Sequence, residues 1–174
     1  MWFGLLTIIG VIIVAVMSPA QGYNPYGANV NGTYYNNPNM YNNQNLKPVA
    51  ILLTHGHIDH IGAVDELKNA YPDIKVYAGV DEKDILKRPE LNLSTMFGTP
   101  MSMEADVYVE DEEEIEILGV NIKCLNVPGH TKGGCCYYAE EDGCLFCGDT
   151  IFNCSVGRTD FYSGSMSQLA RSIR

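Results

Sequence analysis

Val49-Ala50-Ile51-Leu52-Leu53-Thr54-His55-Gly56-His57-Ile58-Asp59-His60 is the stretch that decides the fold. Its first five residues form an unbroken apolar run of strand length, the pattern of a strand covered on both faces. Its last six hold three of the chain's four histidines and an aspartate. Imidazoles brought together repel once protonated, so bunching them is costly without a purpose. Imidazole with carboxylate is the donor set that borderline divalent metals such as zinc take. His55 and His57, alternate residues at a strand end, can point the same way. Asp59 and His60 then turn toward a neighbouring position at the start of a helix. One loop thus offers two ligand pairs to two adjacent metals.

The fourth histidine lies in Val127-Pro128-Gly129-His130-Thr131, a Pro-Gly turn after an apolar strand, and suits a third ligand for the first metal. Asp149, in Cys147-Gly148-Asp149-Thr150, also follows a strand end, where a carboxylate can bridge two cations. Between these motifs, Ile61, Val64, Leu67 and Ala70 recur at helical spacing until Pro72. Residues 74–78 read as a strand and 81–87 as a helix, with a loop over 96–103. Residues 115–125 read as a hairpin turning at Gly119, and 135–147 as a second around Glu141-Asp142-Gly143. Ser165 opens a final helix. Strand, helix, strand, helix indicates a layered α/β domain.

The HxHxDH pattern of residues 55–60 resembles the signature of the metallo-β-lactamase fold superfamily. The resemblance continues through Pro128-Gly129-His130-Thr131 and Gly148-Asp149-Thr150-Ile151-Phe152. Gly157-Arg158-Thr159-Asp160-Phe161 looks like the short glyoxalase II-like (hydroxyacylglutathione hydrolase) branch. It implies an αββα sandwich over residues 47–174 and two zinc ions. His55, His57 and His130 would hold one, Asp59 and His60 the other, with Asp149 between them. It implies hydrolysis of a thioester such as a hydroxyacylglutathione by a metal-bridged hydroxide, with Asp59 and Asp149 as catalytic groups. The alternatives are another hydrolase of the superfamily, a lactamase or nuclease, or a membrane-tethered metal-binding module or fragment without turnover. Arg158 is a candidate substrate-binding residue, or else a structural partner of Asp160. Relatives carry a further histidine after the bridging aspartate, and none follows Asp149 here, so the second site is expected to be weaker. Relatives also begin with strands beside the histidine-bearing strand. An apolar segment stands in that place, so the domain reads as incomplete at both ends.

Composition divides the chain of 174 residues into three parts. Residues 1–46 carry no Lys, Arg, Asp, Glu or His, so the formal charge of −10 belongs to 47–174. An acidic domain argues against nucleic acid, which calls for basic stripes, and the family resemblance implies a small-molecule substrate instead. Much of that charge lies in residues 110–116, read as a solvated turn before a strand. Residues 1–20 are an apolar segment, expected as a helix. Its 16 residues from Trp2 to Met17, apolar apart from Thr7 and two glycines, would reach ~24 Å against the ~30 Å hydrocarbon core. A signal peptide cleaved near Ser18-Pro19-Ala20 and a membrane anchor are equally compatible. The anchor places the domain at a membrane on the cytoplasmic side; the signal implies secretion. Residues 21–46, with nine Asn and five Tyr, have the composition of a disordered tether. The cysteines read as small core hydrophobes in a reducing environment rather than as disulfides or a metal site.

Overall fold

A computed structural model of the chain describes residues 2–8, 11–17 and 46–174. The tether expected over 21–46 lies, apart from Leu46, outside the described residues. The first sheet contains β1 (Trp2–Ile8), β2 (Val11–Met17), β3 (Leu46–Leu53), β4 (Lys75–Gly79) and β5 (Val107–Val109), side by side in that order. β1, β2 and β3 run antiparallel, and β3, β4 and β5 run parallel. The second sheet has the order β6 (Glu114–Ile117), β7 (Val120–Asn126), β8 (Cys135–Ala139) and β9 (Cys144–Phe146), all antiparallel. A small hairpin of β10 (Ile151–Phe152) and β11 (Ser155–Val156) follows. The helices are α1 (Ile58–Ile61), α2 (Val64–Ala70), α3 (Lys83–Lys87) and α4 (Met166–Ser172).

β3 explains the layering. Ala50 and Leu52 point into a core shared with Ile115, Ile117, Ile122, Cys124 and Tyr137 of the second sheet. Ile51 and Leu53, on the opposite face, pack with Ile61, Val64 and Leu86 of the helical layer. A strand buried on both faces has no position for a polar residue, which is why its sequence does not alternate. β6 shows the contrasting case: Glu114 and Glu116 face solvent while Ile115 and Ile117 enter the core. The acidic run before it is an exposed turn, as its composition suggested.

Of the N-terminal segment expected as a helix over residues 1–20, the structure describes 2–8 and 11–17. Their backbone is two strands that extend the sheet along the edge of β3. β2 is Val-Ile-Ile-Val-Ala-Val-Met, and branching at Cβ favours the pleated sheet over the helix. These strands stand where the sequence left the β3 edge bare. The ladder slips between Val14 and Ala15, opposite Ala50 and Pro48, leaving Val49 as a bulge beside a residue with no N–H to donate. The expected transmembrane helix has no counterpart: among the described residues, no helix is long and apolar enough to cross a membrane.

The hairpin expected at Gly119 turns at Leu118-Gly119, both with positive φ. The single helix expected after His60 is two short ones, α1 and α2, interrupted at Gly62 and Ala63. All six cysteines are free, but only Cys124, Cys135 and Cys136 are buried. Cys144 and Cys154 are exposed, so the core role does not extend to them.

Candidate metal centre

The histidine loop begins where β3 ends, and it is fastened to the second sheet at once. The Cys135 N–H, first in β8, donates to the Thr54 carbonyl at 2.9 Å. That bond brings the 127–134 turn, which carries His130, against the 54–57 loop. α4 holds the turn from the other side: Ser165 N–H donates to Gly129 O at 2.7 Å and the Ser172 hydroxyl to Pro128 O at 2.8 Å. Asp149 arrives through Gly148, whose φ is +47° and whose added Cβ would lie 2.3 Å from Thr54 Oγ1. Only glycine permits that approach.

Three ring nitrogens meet at the centre. His57 Nδ1 lies 3.0 Å from His130 Nε2, which lies 3.1 Å from His55 Nε2. His130 Nδ1 is 2.7 Å from the Arg158 carbonyl oxygen, which can only accept. Nδ1 therefore carries the proton, and Nε2 of the neutral ring presents its lone pair to the other two histidines. Thr54 Oγ1, 3.3 Å from His55 Nδ1, accepts from it in the tautomer that leaves His55 Nε2 unprotonated. His55, His57, His60 and His130 are all buried. Burial, and then the neighbouring imidazoles, hold His55 well below its ordinary pKa and lower His57 to about 3. Both rings are neutral donors at physiological pH.

Asp149 joins this trio to the rest. One oxygen lies 3.3 Å from His60 Nε2 and the other 3.7 Å from His130 Nε2. Burial alone would raise its pKa, but the hydrogen bond from His60 and the field of His60, His130 and His57 bring it below the ordinary carboxylate value. Two overlapping groups result, His55 with His57 and His130, and His55 with His60 and Asp149, each with donor atoms within 4.8 Å of one another. Asp59 belongs to neither: its side chain is 62% exposed, with Oδ2 3.7 Å from His60 Nε2.

The residues fit a divalent ion. His130 Nε2 brings no proton of its own in the neutral form, so the facing nitrogens are held together either by an N–H of His57 or His55 or by a cation between them. Nitrogens bound at about 2.0–2.1 Å in a tetrahedral set lie roughly 3.4 Å apart, within a few tenths of an ångström of the spacing found. His57 Nε2 is buried with no hydrogen-bond partner, so on that side the ring is held by packing, including the edge of Phe161 at 5.7 Å between centroids.

The chain has relatives among known proteins. The profile of the metallo-beta-lactamase superfamily covers residues 42–174. The chain belongs to that superfamily. The probable metallo-hydrolase YqgX of Bacillus subtilis is 39% identical over 130 residues, 74% of this chain and 61% of that protein. A hydroxyacylglutathione hydrolase of Photobacterium profundum is 37% identical over 131 residues, 75% of this chain and 43% of that protein. The chain thus spans about three fifths of the first relative and under half of the second. The crystal structure of the BLEG-1 B3 metallo-beta-lactamase superposes with a TM-score of 0.74 at 31% identity, covering 99% of this chain and 83% of that one.

Arg158, expected either to bind substrate or to pair with Asp160, is in contact with Asp160. Its guanidinium makes two hydrogen bonds to Asp160, at 2.9 and 2.7 Å, and stacks 4.1 Å from the centroid of Phe161. Its main-chain carbonyl, not its charge, reaches the centre. Sequence reading missed three contributors: Phe161 against His57, Thr54 beside His55, and Glu82. Glu82 is wholly buried, accepting hydrogen bonds from Gly56 N–H, Gly133 N–H and the Thr131 hydroxyl. The Thr54 and Phe161 positions adjoin recognised motifs and could have been suspected. Nothing in the local sequence of Glu82 separates it from the other acidic residues of an acidic chain.

Proposed function

We propose that this domain is a metal-dependent hydrolase acting on a small-molecule thioester of the hydroxyacylglutathione kind, with zinc in two adjacent positions. The observation that carries the proposal is the convergence of three buried ring nitrogens, with Asp149 reaching from that group to His60. His55, His57 and His130 would hold the first ion, and His60, Asp149 and the exposed Asp59 the second. When bound, such ions supply Lewis acidity, which makes water nucleophilic near neutral pH and polarises a carbonyl.

The protein's share of the work is positional and electrostatic. Burial keeps His55 and His57 neutral, and the Arg158 carbonyl fixes the His130 tautomer. Asp149 stays ionised, one oxygen toward each half of the centre. Asp59, on the solvent side, would orient an incoming water. A thiol leaving group has a pKa of ~8.5 and departs with little help from an acid, which suits a site built from donors and carboxylates. The hydroxyacylglutathione hydrolase among the relatives supports the thioester, and the net charge of −10 disfavours nucleic acid.

Zinc-loaded protein should hydrolyse S-lactoylglutathione, lose the activity to a chelator and regain it with added zinc. Metal retained with turnover at background would instead support a second reading, a metal-binding domain without turnover. One observation favours that second reading: beyond the shared His55, the second group contains only His60 and Asp149.

A further inference from the structure

Glu82 lies outside both ligand groups, yet its carboxylate touches both of the loops that bring the histidines together. It ends the 3-10 turn Val80–Glu82, directly after β4, and is wholly buried. Oε2 accepts from Gly56 N–H at 2.9 Å, the residue between His55 and His57. Oε1 accepts from Gly133 N–H at 3.0 Å and from the Thr131 hydroxyl next to His130. Gly133 is packed so closely on this turn that an added Cβ would lie 2.3 Å from Glu82 N, so the backbone itself makes room for the carboxylate.

We propose that Glu82 is the positioning residue of the metal centre, locking the 54–57 loop to the 129–133 turn so that His55, His57 and His130 converge before an ion arrives. The proposal rests on the metal-centre reading above. Two loops from different sheets, each free to move by half an ångström, would present their nitrogens too loosely for tight binding. One carboxylate accepting from both removes that freedom without occupying a coordination position. All three partners are donors, so the group must accept on both sides. A carboxylate does so; an amide cannot, because its NH2 end would face Gly56 N–H or the Gly133 and Thr131 donors.

The test is zinc affinity of the metal-free protein, measured against a chromophoric chelator, for wild type, Glu82→Gln and Thr131→Val. Folding of each metal-free variant is checked by circular dichroism at the same temperature. The expected result is a 10- to 100-fold weaker first zinc site in Glu82→Gln, the range found for outer-shell partners of metal ligands, with the melting point of the bound form approaching wild type as zinc saturates. Thr131→Val, which removes one of three donors and leaves the carboxylate, should weaken it less, by about 3- to 10-fold. It also carries the test if Glu82→Gln does not fold. A folded variant that melts lower but binds zinc within twofold of wild type would overturn the positioning role and leave Glu82 a purely structural residue. Wild type that binds no zinc would instead remove the metal-centre reading itself, and this role with it.

Discussion

The two halves of the centre are built to different standards. His55, His57 and His130 are all buried, and two of them have a defined partner on the nitrogen that faces away from the cluster. Their loops are tied together by the Thr54–Cys135 backbone bond and by Glu82. The other half has one buried histidine, His60, a half-buried carboxylate, Asp149, and an exposed one, Asp59. Fixing donors before binding reduces the ordering cost paid when the ion arrives, so the first half should bind tightly and the second weakly. The exposed Asp59 is also screened by solvent, which lowers its pull on a cation.

The largest effect expected from breaking this asymmetry is that of His130→Ala. It removes a ligand of the first half and the contact to Asp149 together. Metal content after gel filtration should fall to background, and the proposed thioesterase activity should drop by more than about 100-fold, beyond the range of outer-shell changes. Retention of one equivalent of zinc would show that the trio is not the tight site. Asp149→Asn should act selectively. The first zinc should bind within about threefold of wild type while the second step disappears from the titration, and activity should fall roughly 10- to 100-fold. Equal loss of both steps would erase the distinction between the halves.

Acid provides a milder probe of the metal-free protein. Burial depresses the folded-state pKa of His57 to about 3 and that of His55 well below 6.5. Between about 6.5 and 3 the unfolded chain therefore binds more protons than the folded one, and stability rises with pH across that window. Asp149, also depressed, acts in the same direction at the acid end. Melting temperature should thus fall steadily as pH is lowered below 6.5, and His57→Asn should flatten the slope near pH 6. A wild-type profile already flat from pH 6.5 to 5 would contradict the burial of neutral imidazoles. The smallest effect is expected from Arg158→Gln. Its charge is engaged with Asp160 at the surface and its carbonyl is retained, so zinc affinity should stay within about twofold of wild type. A rise in KM for the thioester without a change in zinc binding would assign its guanidinium to the substrate.

Much of this centre was legible in the sequence because its chemistry is local. HxHxDH puts four donors in six residues, and the unbroken run before it marks a strand buried on both faces, as β3 is. The β-hairpins were legible from Gly119 and from Glu141-Asp142-Gly143, where turn chemistry is written in adjacent residues. What was not legible depends on partners far away in the chain. Trp2–Ile8 and Val11–Met17 read as one apolar run, and the pairing of β2 with the edge of β3 joins residues far apart in sequence. β5 and the β10–β11 hairpin are too short to carry a periodicity. Glu82 is separated by 26 residues from Gly56 and by 51 from Gly133, so its role exists only in the folded chain. Arg158 was noticed for its charge, while the atom that matters to His130 is its backbone oxygen.

The central claim is that the histidine trio grips a divalent ion and the aspartate half holds a second more loosely. Stepwise zinc titration of the metal-free protein, in competition with a chelator of known affinity, tests it most directly. Two unequal steps are predicted, the tighter one absent from His130→Ala. No retained zinc under excess metal, or a tight step that survives His130→Ala unchanged, would contradict the account.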